Sequence, residues 1–266
     1  MSWNDFTKES IEHGSFWFSS PTIFNDPIDF GISLNTIRNT PLLKNLIASG
    51  FTKIGKAIGV AIKNPSQSKS IAESVQELAS SFINNTEALS SEMSEARLDQ
   101  AAGIHLKEKF SSAGILSLSE LGDNILMWSH YAQQHKGICI EFSRNPSNIL
   151  GKPDHTSPVR YSIKAPAIDA RNYRTADREG KNEIELSLVL TKAADWTYER
   201  EWRVVKNGCA NSTQPLECKI ESITLGLRSE DAAQEHILSL AKRDGFKVNK
   251  ANLKPNEFGL KIEQIY

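Results

Sequence analysis

The sequence has few cysteines, no excess of charge of either sign and no long apolar run. Cys139, Cys209 and Cys218 are three cysteines in 266 residues, and their odd number and wide spacing argue against a disulfide framework or a zinc site. Reduced thiols fit a cytoplasmic location. The 31 Lys and Arg residues balance 32 Asp and Glu residues, which leaves a formal net charge of −1. This balance gives no electrostatic sign of binding to nucleic acid or to an anionic membrane.

Long apolar segments are also missing. No stretch approaches the roughly 20 apolar residues that cross a bilayer, and the first residues do not show a basic segment followed by an apolar core. We therefore expect neither a signal peptide nor contact with a membrane. Hydrophobic residues still make up 39% of the chain, which is enough for a globular core.

The order of the predicted elements indicates an α+β fold. Alternating or short apolar runs predict strands at 15–20, 114–119, 137–142, 159–161, 199–206, 223–226, 246–253 and 258–265. Helices are predicted at 5–11, 124–135, 182–194 and 229–243. Because the strands and helices do not alternate regularly, we expect mixed, largely antiparallel sheets. One domain is expected over 1–266, with residues 31–110 as a helical insertion within it.

Two carboxylates stand close together in the run 198–204. Side chains alternate along a strand, so Glu199, Glu201 and Arg203 are expected on one face, with Trp202 and Val204 facing the core. The two acids would lie roughly 6.5–7 Å apart and point into a cleft or into solvent. The alternative is a solvated face with cross-strand ion pairs and no catalytic role.

A second group of candidates lies in the helix that begins near residue 124. His130 is expected to act as a base, a nucleotide contact or an orienter of Glu201; the alternative is a buried helix in which it donates one hydrogen bond. Asn25 and Asp26, between two prolines, either place a carboxylate at the edge of a cleft or only hydrogen-bond their own turn. No group of His, Cys, Asp and Glu has the spacing of metal ligands, so no metal is expected.

Three parts of the chain together resemble the family called domain of unknown function 2971. They are residues 18–27 (FSSPTIFNDP), residues 116–142 with LSLS, MWSHYA and HKGICIEF, and residues 192–203 (KAADWTYEREWR). The resemblance covers about 14–30 and 111–265. Members of that family usually begin with a short strand that carries a Tyr-Lys-Tyr-like motif, and this sequence has no counterpart before its first helix.

The Glu-x-Glu spacing more distantly resembles the ADP-ribosyltransferase superfamily. That resemblance implies that NAD is the substrate, that Glu201 steadies the oxocarbenium ion as nicotinamide leaves, and that Glu199 faces the target. It also implies an aromatic wall and a Ser-containing strand end around the cofactor. The residues that it implies for cofactor binding are Ser19, Asn25, Asp26, Trp128, Tyr131 and Arg203, beside the catalytic residues Glu199, Glu201 and His130.

The expected function is therefore an ADP-ribosyltransferase-like enzyme or NAD-glycohydrolase, of the kind used as a toxin or a phage-defence effector. Its expected partners are a small nucleotide, a protein or nucleic-acid target, and a cognate immunity or antitoxin protein. Two alternatives stay open: a hydrolase that cleaves a nucleotide or nucleic acid, and a non-catalytic sensor or interaction module.

Overall fold

The chain forms two compact units. The computed structural model describes residues 1–26, 28–30, 33–34, 76–77, 80, 97, 104–106, 108–168 and 170–266. The first unit comprises Met1–Gly31, Lys107–Pro166 and Glu185–Tyr266, and the second comprises Ile32–Leu106 and Ala167–Ile184. The predicted insertion at 31–110 falls largely outside the described residues. It therefore stays a prediction, as does the assignment of one domain.

The described residues form helices and short strands in mixed order. Helices are α1 (Asp5–His13), α2 (Ile125–Tyr131), α3 (Ala170–Thr175), α4 (Arg178–Val189) and α5 (Asp231–Asp244), with 3-10 helices at Pro21–Ile23, Ile149–Gly151 and Ala194–Glu199. Strands are β1 (Ser15–Phe18), β2 (Ser33–Leu34), β3 (Gly114–Ser119), β4 (Ile138–Phe142), β5 (Thr156–Pro158), β6 (Arg160–Ser162), β7 (Ala167–Ile168), β8 (Thr191–Ala193), β9 (Glu201–Lys206), β10 (Ser212–Pro215), β11 (Ile220–Leu225), β12 (Lys247–Leu253) and β13 (Leu260–Gln264). In this part of the chain, no helix has the length and apolar character needed to span a membrane.

The strands pair mainly in antiparallel fashion. In the first unit the sheets have the strand orders β13-β12-β11-β4, β3-β9-β5, β1-β10 and β6-β8. The pairs β11–β12 and β6–β8 are parallel, and the others in this unit are antiparallel. The second unit contains the parallel pair β2–β7 and helix α3. This arrangement confirms the predicted α+β class with mixed, largely antiparallel sheets.

The four-stranded sheet of the first unit carries a packed core on each face. On one side, Ile223 and Val248 pack with Ile237 of α5. On the other, Ala251 and Leu260 pack with Trp128 of α2. Side chains three positions apart on β12 point to opposite faces of the sheet, so Val248 and Ala251 each enter a different core.

Strand β9, which carries Glu201, separates an apolar region from a polar one. Val204 is fully buried in a third core with Phe16, Phe18 and Leu216. Glu201 and Arg203, on the opposite side of β9, are buried as well. Because alternate side chains of a strand face opposite ways, the same strand that anchors the core also directs these two charged groups into a shared interior.

Several predicted boundaries are wrong for identifiable backbone reasons. The strand predicted from residue 199 begins at Glu201, because Arg200 takes a left-handed conformation with φ 43°. The helix predicted to residue 135 ends at Tyr131, since residues 133–135 all have positive φ. The helix predicted at 182–194 ends at Val189 and is followed by β8 and a 3-10 helix. Strand β3 was predicted with its observed limits.

The close approach of the end of β11 to the turn after α2 gives a test of this packing. A Cβ at Gly226 would lie 2.2 Å from the carbonyl oxygen of His135, so Gly226→Ala should destabilise the fold by about 1–3 kcal/mol through overpacking. Urea unfolding measures the change. Gly122→Ala is the control, because nothing lies within 4 Å of its added Cβ. Equal stability of the two variants would contradict this account.

Candidate functional site

Glu199 and Glu201 reach the same place from different elements. Glu199 is the last residue of the 3-10 helix Ala194–Glu199, and Glu201 is the first residue of β9. The prediction that both acids share one face of a single strand is therefore wrong. The left-handed turn at Arg200 redirects the chain between them. The side chains nonetheless converge, because both carboxylates contact the ammonium of Lys192.

Lys192 of β8 lies at the centre of a buried ionic cluster. Its Nζ atom is 2.5 Å from Oε2 of Glu199, 3.1 Å from Oε2 of Glu201 and 3.5 Å from Oδ2 of Asp29. The side chain of Lys192 is only 6% exposed, and those of the three acids are 2–5% exposed. At such burial the attraction between opposite charges is strong, because little water is present to screen it.

Arg203 is the second cation of this ionic cluster. Its Nε donates to Oε1 of Glu201 at 2.7 Å, and its Nη2 donates to Oδ2 of Asp29 at 2.6 Å. Its Nη1 donates to the carbonyl oxygen of Val189. The guanidinium also lies 4.9 Å from the centre of the Phe24 ring. Arg203 thus connects β9 with Phe24, with Asp29 and with Val189 at the end of α4.

Two tyrosines border the ionic cluster. The hydroxyl of Tyr131, at the end of α2, donates to Oε1 of Glu199 at 2.7 Å, and the Asn25 side chain also hydrogen-bonds this tyrosine. The backbone N–H of Glu201 donates to the hydroxyl oxygen of Tyr161 at 2.7 Å. Both rings are half-buried. Tyr131 is therefore partly accessible from the surface while its hydroxyl contacts a buried carboxylate of the cluster.

The charges of the ionic cluster determine its protonation. Burial alone would raise the pKa of Glu201, but the charge and hydrogen bonds of Arg203 and the charge of Lys192 outweigh burial and lower it. Burial would lower the pKa of Lys192, and the surrounding carboxylates reverse this effect and raise it. Burial and then the hydrogen bond with Glu199 raise the pKa of Tyr131 well above its ordinary value. The phenol therefore remains a proton donor at neutral pH.

An aromatic rim stands beside the ionic cluster; we define it as His130, Tyr131, Trp196 and Tyr198. The centre of the His130 ring lies 6.2 Å from Tyr131, 6.3 Å from Trp196 and 6.4 Å from Tyr198. The Trp196 indole N–H donates to Oδ2 of Asp26 at 2.7 Å, and Nζ of Lys192 lies 4.9 Å from the centre of its ring. His130 is exposed and the other three rings are half-buried, so the rim is accessible.

The structure brings most of the predicted site residues together. Asn25, Asp26, His130, Tyr131 and Arg203 all contact the ionic cluster or its aromatic rim, beside Glu199 and Glu201. Asn25 and Asp26 thus bind beyond their own turn, although Asp26 also accepts from the backbone N–H of Ile28.

Trp128 and Ser19 lie elsewhere. Trp128 is 3% exposed in the core with Ala251 and Leu260, and its indole N–H donates to the carbonyl oxygen of Gly122. It therefore has no open face for a ligand, and its predicted role in a stacking wall is wrong. Ser19 pairs through its backbone with Ile115, a contact outside the ionic cluster. Arg203 is 1% exposed and fully engaged within the protein, which favours a structural role over cofactor contact.

Sequence reasoning missed five members of this region: Asp29, Tyr161, Lys192, Trp196 and Tyr198. Lys192, Trp196 and Tyr198 lie in the run already singled out at 192–203, so this run held an available signal. Asp29 meets Arg203 across 174 positions of sequence, a pairing that no local pattern reveals. Among the described residues, no three His, Cys, Asp or Glu side chains form a group that could hold a metal ion.

Part of this region is similar to a known protein family. Residues 127–204 match the family model described as Protein of unknown function (DUF2971). This confirms the resemblance over that segment, which contains Tyr131, Lys192, Glu199, Glu201 and Arg203; Asp29 lies outside it. No curated protein and no solved structure shows significant similarity to the chain. The likeness to ADP-ribosyltransferases stays a prediction.

Removal of the Arg203 guanidinium tests whether this ionic cluster stabilises the fold. Arg203→Met leaves Glu201 and Asp29 with one shared cation in a buried site, and losing one partner of such a pair costs about 3–5 kcal/mol. We expect a loss of that size in the free energy of urea unfolding. Arg243→Met should change it little, because Arg243 pairs with Asp244 on the surface, where an ion pair contributes little to stability. Comparable losses in the two variants would show that burial of the cluster is unimportant.

The lowered pKa of Glu201 predicts how the free energy of unfolding changes as the pH falls. Its pKa is lower in the folded protein than the ordinary value of 4.5, so ionised Glu201 stabilises the fold above that pH. This contribution is lost as the pH falls through the folded pKa. Below about pH 4.5 the wild-type unfolding free energy should therefore fall more steeply than that of Glu201→Gln. Parallel curves from pH 7 to pH 3 would refute the assignment.

Proposed function

We propose that this site binds NAD⁺ and cleaves the N-glycosidic bond to nicotinamide, as a glycohydrolase or an ADP-ribosyltransferase. The bond between C1′ of the ribose and the pyridinium nitrogen breaks, and its electron pair leaves with neutral nicotinamide. Water or a nucleophile of a target then forms the new bond to C1′ and loses a proton. The ribosyl group carries positive charge between these events, so a fixed negative site favours the reaction.

The observation that carries this proposal is the excess of buried carboxylates beside accessible rings. Three acids, Asp29, Glu199 and Glu201, face two cations, Lys192 and Arg203. The ionic cluster therefore has a formal charge of −1 when all five groups are ionised. The aromatic rim offers flat, electron-rich faces to a planar cation such as nicotinamide in NAD⁺.

The contacts suggest a division of roles between the two glutamates. Glu199 accepts a hydrogen bond from Tyr131, a member of the aromatic rim, so it is the acid closest to a ligand bound there. Glu201 accepts hydrogen bonds from Arg203 and Lys192 and supplies negative charge from a position farther from the ligand. In this proposal the Tyr131 hydroxyl contacts the substrate, whereas the sequence analysis gave the leading role to Glu201.

Release of nicotinamide by the purified chain tests the proposal. We expect wild-type protein to release nicotinamide from NAD⁺, and Glu199→Gln and Glu201→Gln each to lower kcat by about 10²–10³-fold, as loss of one electrostatic stabiliser does. Glu141→Gln is the matched control, because Glu141 is exposed on β4 and contacts Ser222. Its activity should equal that of wild type. No release by wild-type protein, with or without candidate target proteins, would refute the proposal.

A second candidate is a non-catalytic module that binds a ligand at the aromatic rim. Every carboxylate oxygen of Glu199 and Glu201 already accepts a hydrogen bond within the protein, which favours a structural role for these acids. This candidate predicts ligand binding that Trp196→Ala weakens, with no turnover of NAD⁺, nucleotides, RNA or DNA. Cleavage of RNA, DNA or a nucleotide without NAD⁺ would instead support a hydrolase.

A further inference from the structure

We propose that Lys192 is the positioning residue of this site, because its single ammonium group holds Glu199 and Glu201 together beside Tyr131. Its catalytic consequence rests on the function proposed above, whereas its effect on the ionic cluster does not.

The position of Lys192 lets it reach both glutamates at once. It lies on β8, where Lys192 pairs with Tyr161 of β6, and the Tyr161 hydroxyl in turn accepts from the backbone N–H of Glu201. The β6–β8 pair thus brings both the ammonium and the phenol into contact with Glu201. A lysine from this strand bridges the 3-10 helix and β9, which carry the two acids.

Lys192 makes a contact that Arg203 does not make. Arg203 contacts Glu201 and Asp29, but in the described part of the chain Lys192 is the cation that contacts Glu199. Without it, Glu199 would keep only the Tyr131 hydroxyl as a charge-stabilising side-chain partner. Three buried carboxylates would then face one guanidinium, and mutual repulsion would separate the acids or force one of them to bind a proton.

The charged and titratable groups that face Lys192 determine how its loss would depend on pH. They are the carboxylates of Asp29, Glu199 and Glu201, the guanidinium of Arg203, and the phenols of Tyr131, Tyr161 and Tyr198. The phenols have raised pKa values, first through burial, so they stay neutral below pH 9. A pH dependence of the stability below pH 9 would therefore not come from the phenols.

Lys192→Met tests the proposal, since it keeps most of the length of the side chain and removes its charge. In urea unfolding, the loss of stability relative to wild type should be greatest at pH 7 and smaller at pH 3, because buried carboxylates without the ammonium favour their protonated form. Glu199→Gln added to Lys192→Met should restore part of the loss at pH 7. The double variant also covers the case in which Lys192→Met does not fold at neutral pH.

The matched control is Lys109→Met. Lys109 binds Glu185 at 2.6 Å, so this variant also removes an ammonium from a buried carboxylate, outside the ionic cluster. Adding Glu199→Gln to Lys109→Met should restore nothing. A loss in Lys192→Met that does not change with pH, or a double variant no more stable than Lys192→Met, would overturn the proposal and leave Lys192 with a packing role.

Nicotinamide release gives a second measurement that packing alone would not affect. In Lys192→Met the acid limb of the pH profile of kcat should move upward, because loss of the ammonium favours protonation of the carboxylates that faced it. The limb should stay in place in Lys109→Met. An unchanged limb in Lys192→Met would overturn the positioning role. If wild-type protein shows no turnover, the proposed function fails, and the unfolding measurements still decide the role of Lys192.

Discussion

The candidate site depends on the compensation of buried charge. A carboxylate removed from water costs several kcal/mol unless cations and hydrogen bonds replace its hydration. Here Lys192 and Arg203 supply that replacement for three acids. These contacts join residue 29 to β8 and β9, segments more than 160 positions away. The ion pairs therefore also fix Asp29, which is close in sequence to Asn25 and Asp26, two residues that contact the aromatic rim.

The backbone at Arg200 makes this compensation geometrically feasible. A continuous strand would place Glu199 and Glu201 roughly 6.5–7 Å apart and parallel, too far apart for one ammonium to lie within 3.1 Å of both unless the side chains bend inward. The left-handed residue between them instead turns the chain. That conformation costs a non-glycine residue about 1–2 kcal/mol, and it persists because Arg200 donates to Thr197 and accepts from Glu120 through its backbone.

The sequence predicts those parts of the structure that local pattern controls. The alternation in 114–119 gave β3 its limits, and Gly14 ends α1 in the left-handed conformation expected of a helix-ending glycine. The pattern also singled out the run that holds both glutamates. It could not reveal the turn at Arg200, since arginine has no preference for positive φ, nor the contact of Asp29 with Arg203, which depends on tertiary packing. Trp128 shows the opposite kind of error: the sequence predicted a ligand contact for an aromatic residue that only packs in the core.

The hydrogen bonds of Glu199 and Glu201 constrain any chemistry at this site. Since each of their carboxylate oxygens already accepts a hydrogen bond, attack on a substrate by either acid would compete with those contacts. A ligand on the aromatic rim would instead experience the field of a fixed, preorganised charge, which costs no rearrangement during the reaction. Tyr131 is half-buried and its hydroxyl donates to Glu199, so it is the group that lies between these charges and a ligand on the rim. The same contacts that make the acids poor nucleophiles thus make them effective as fixed charges.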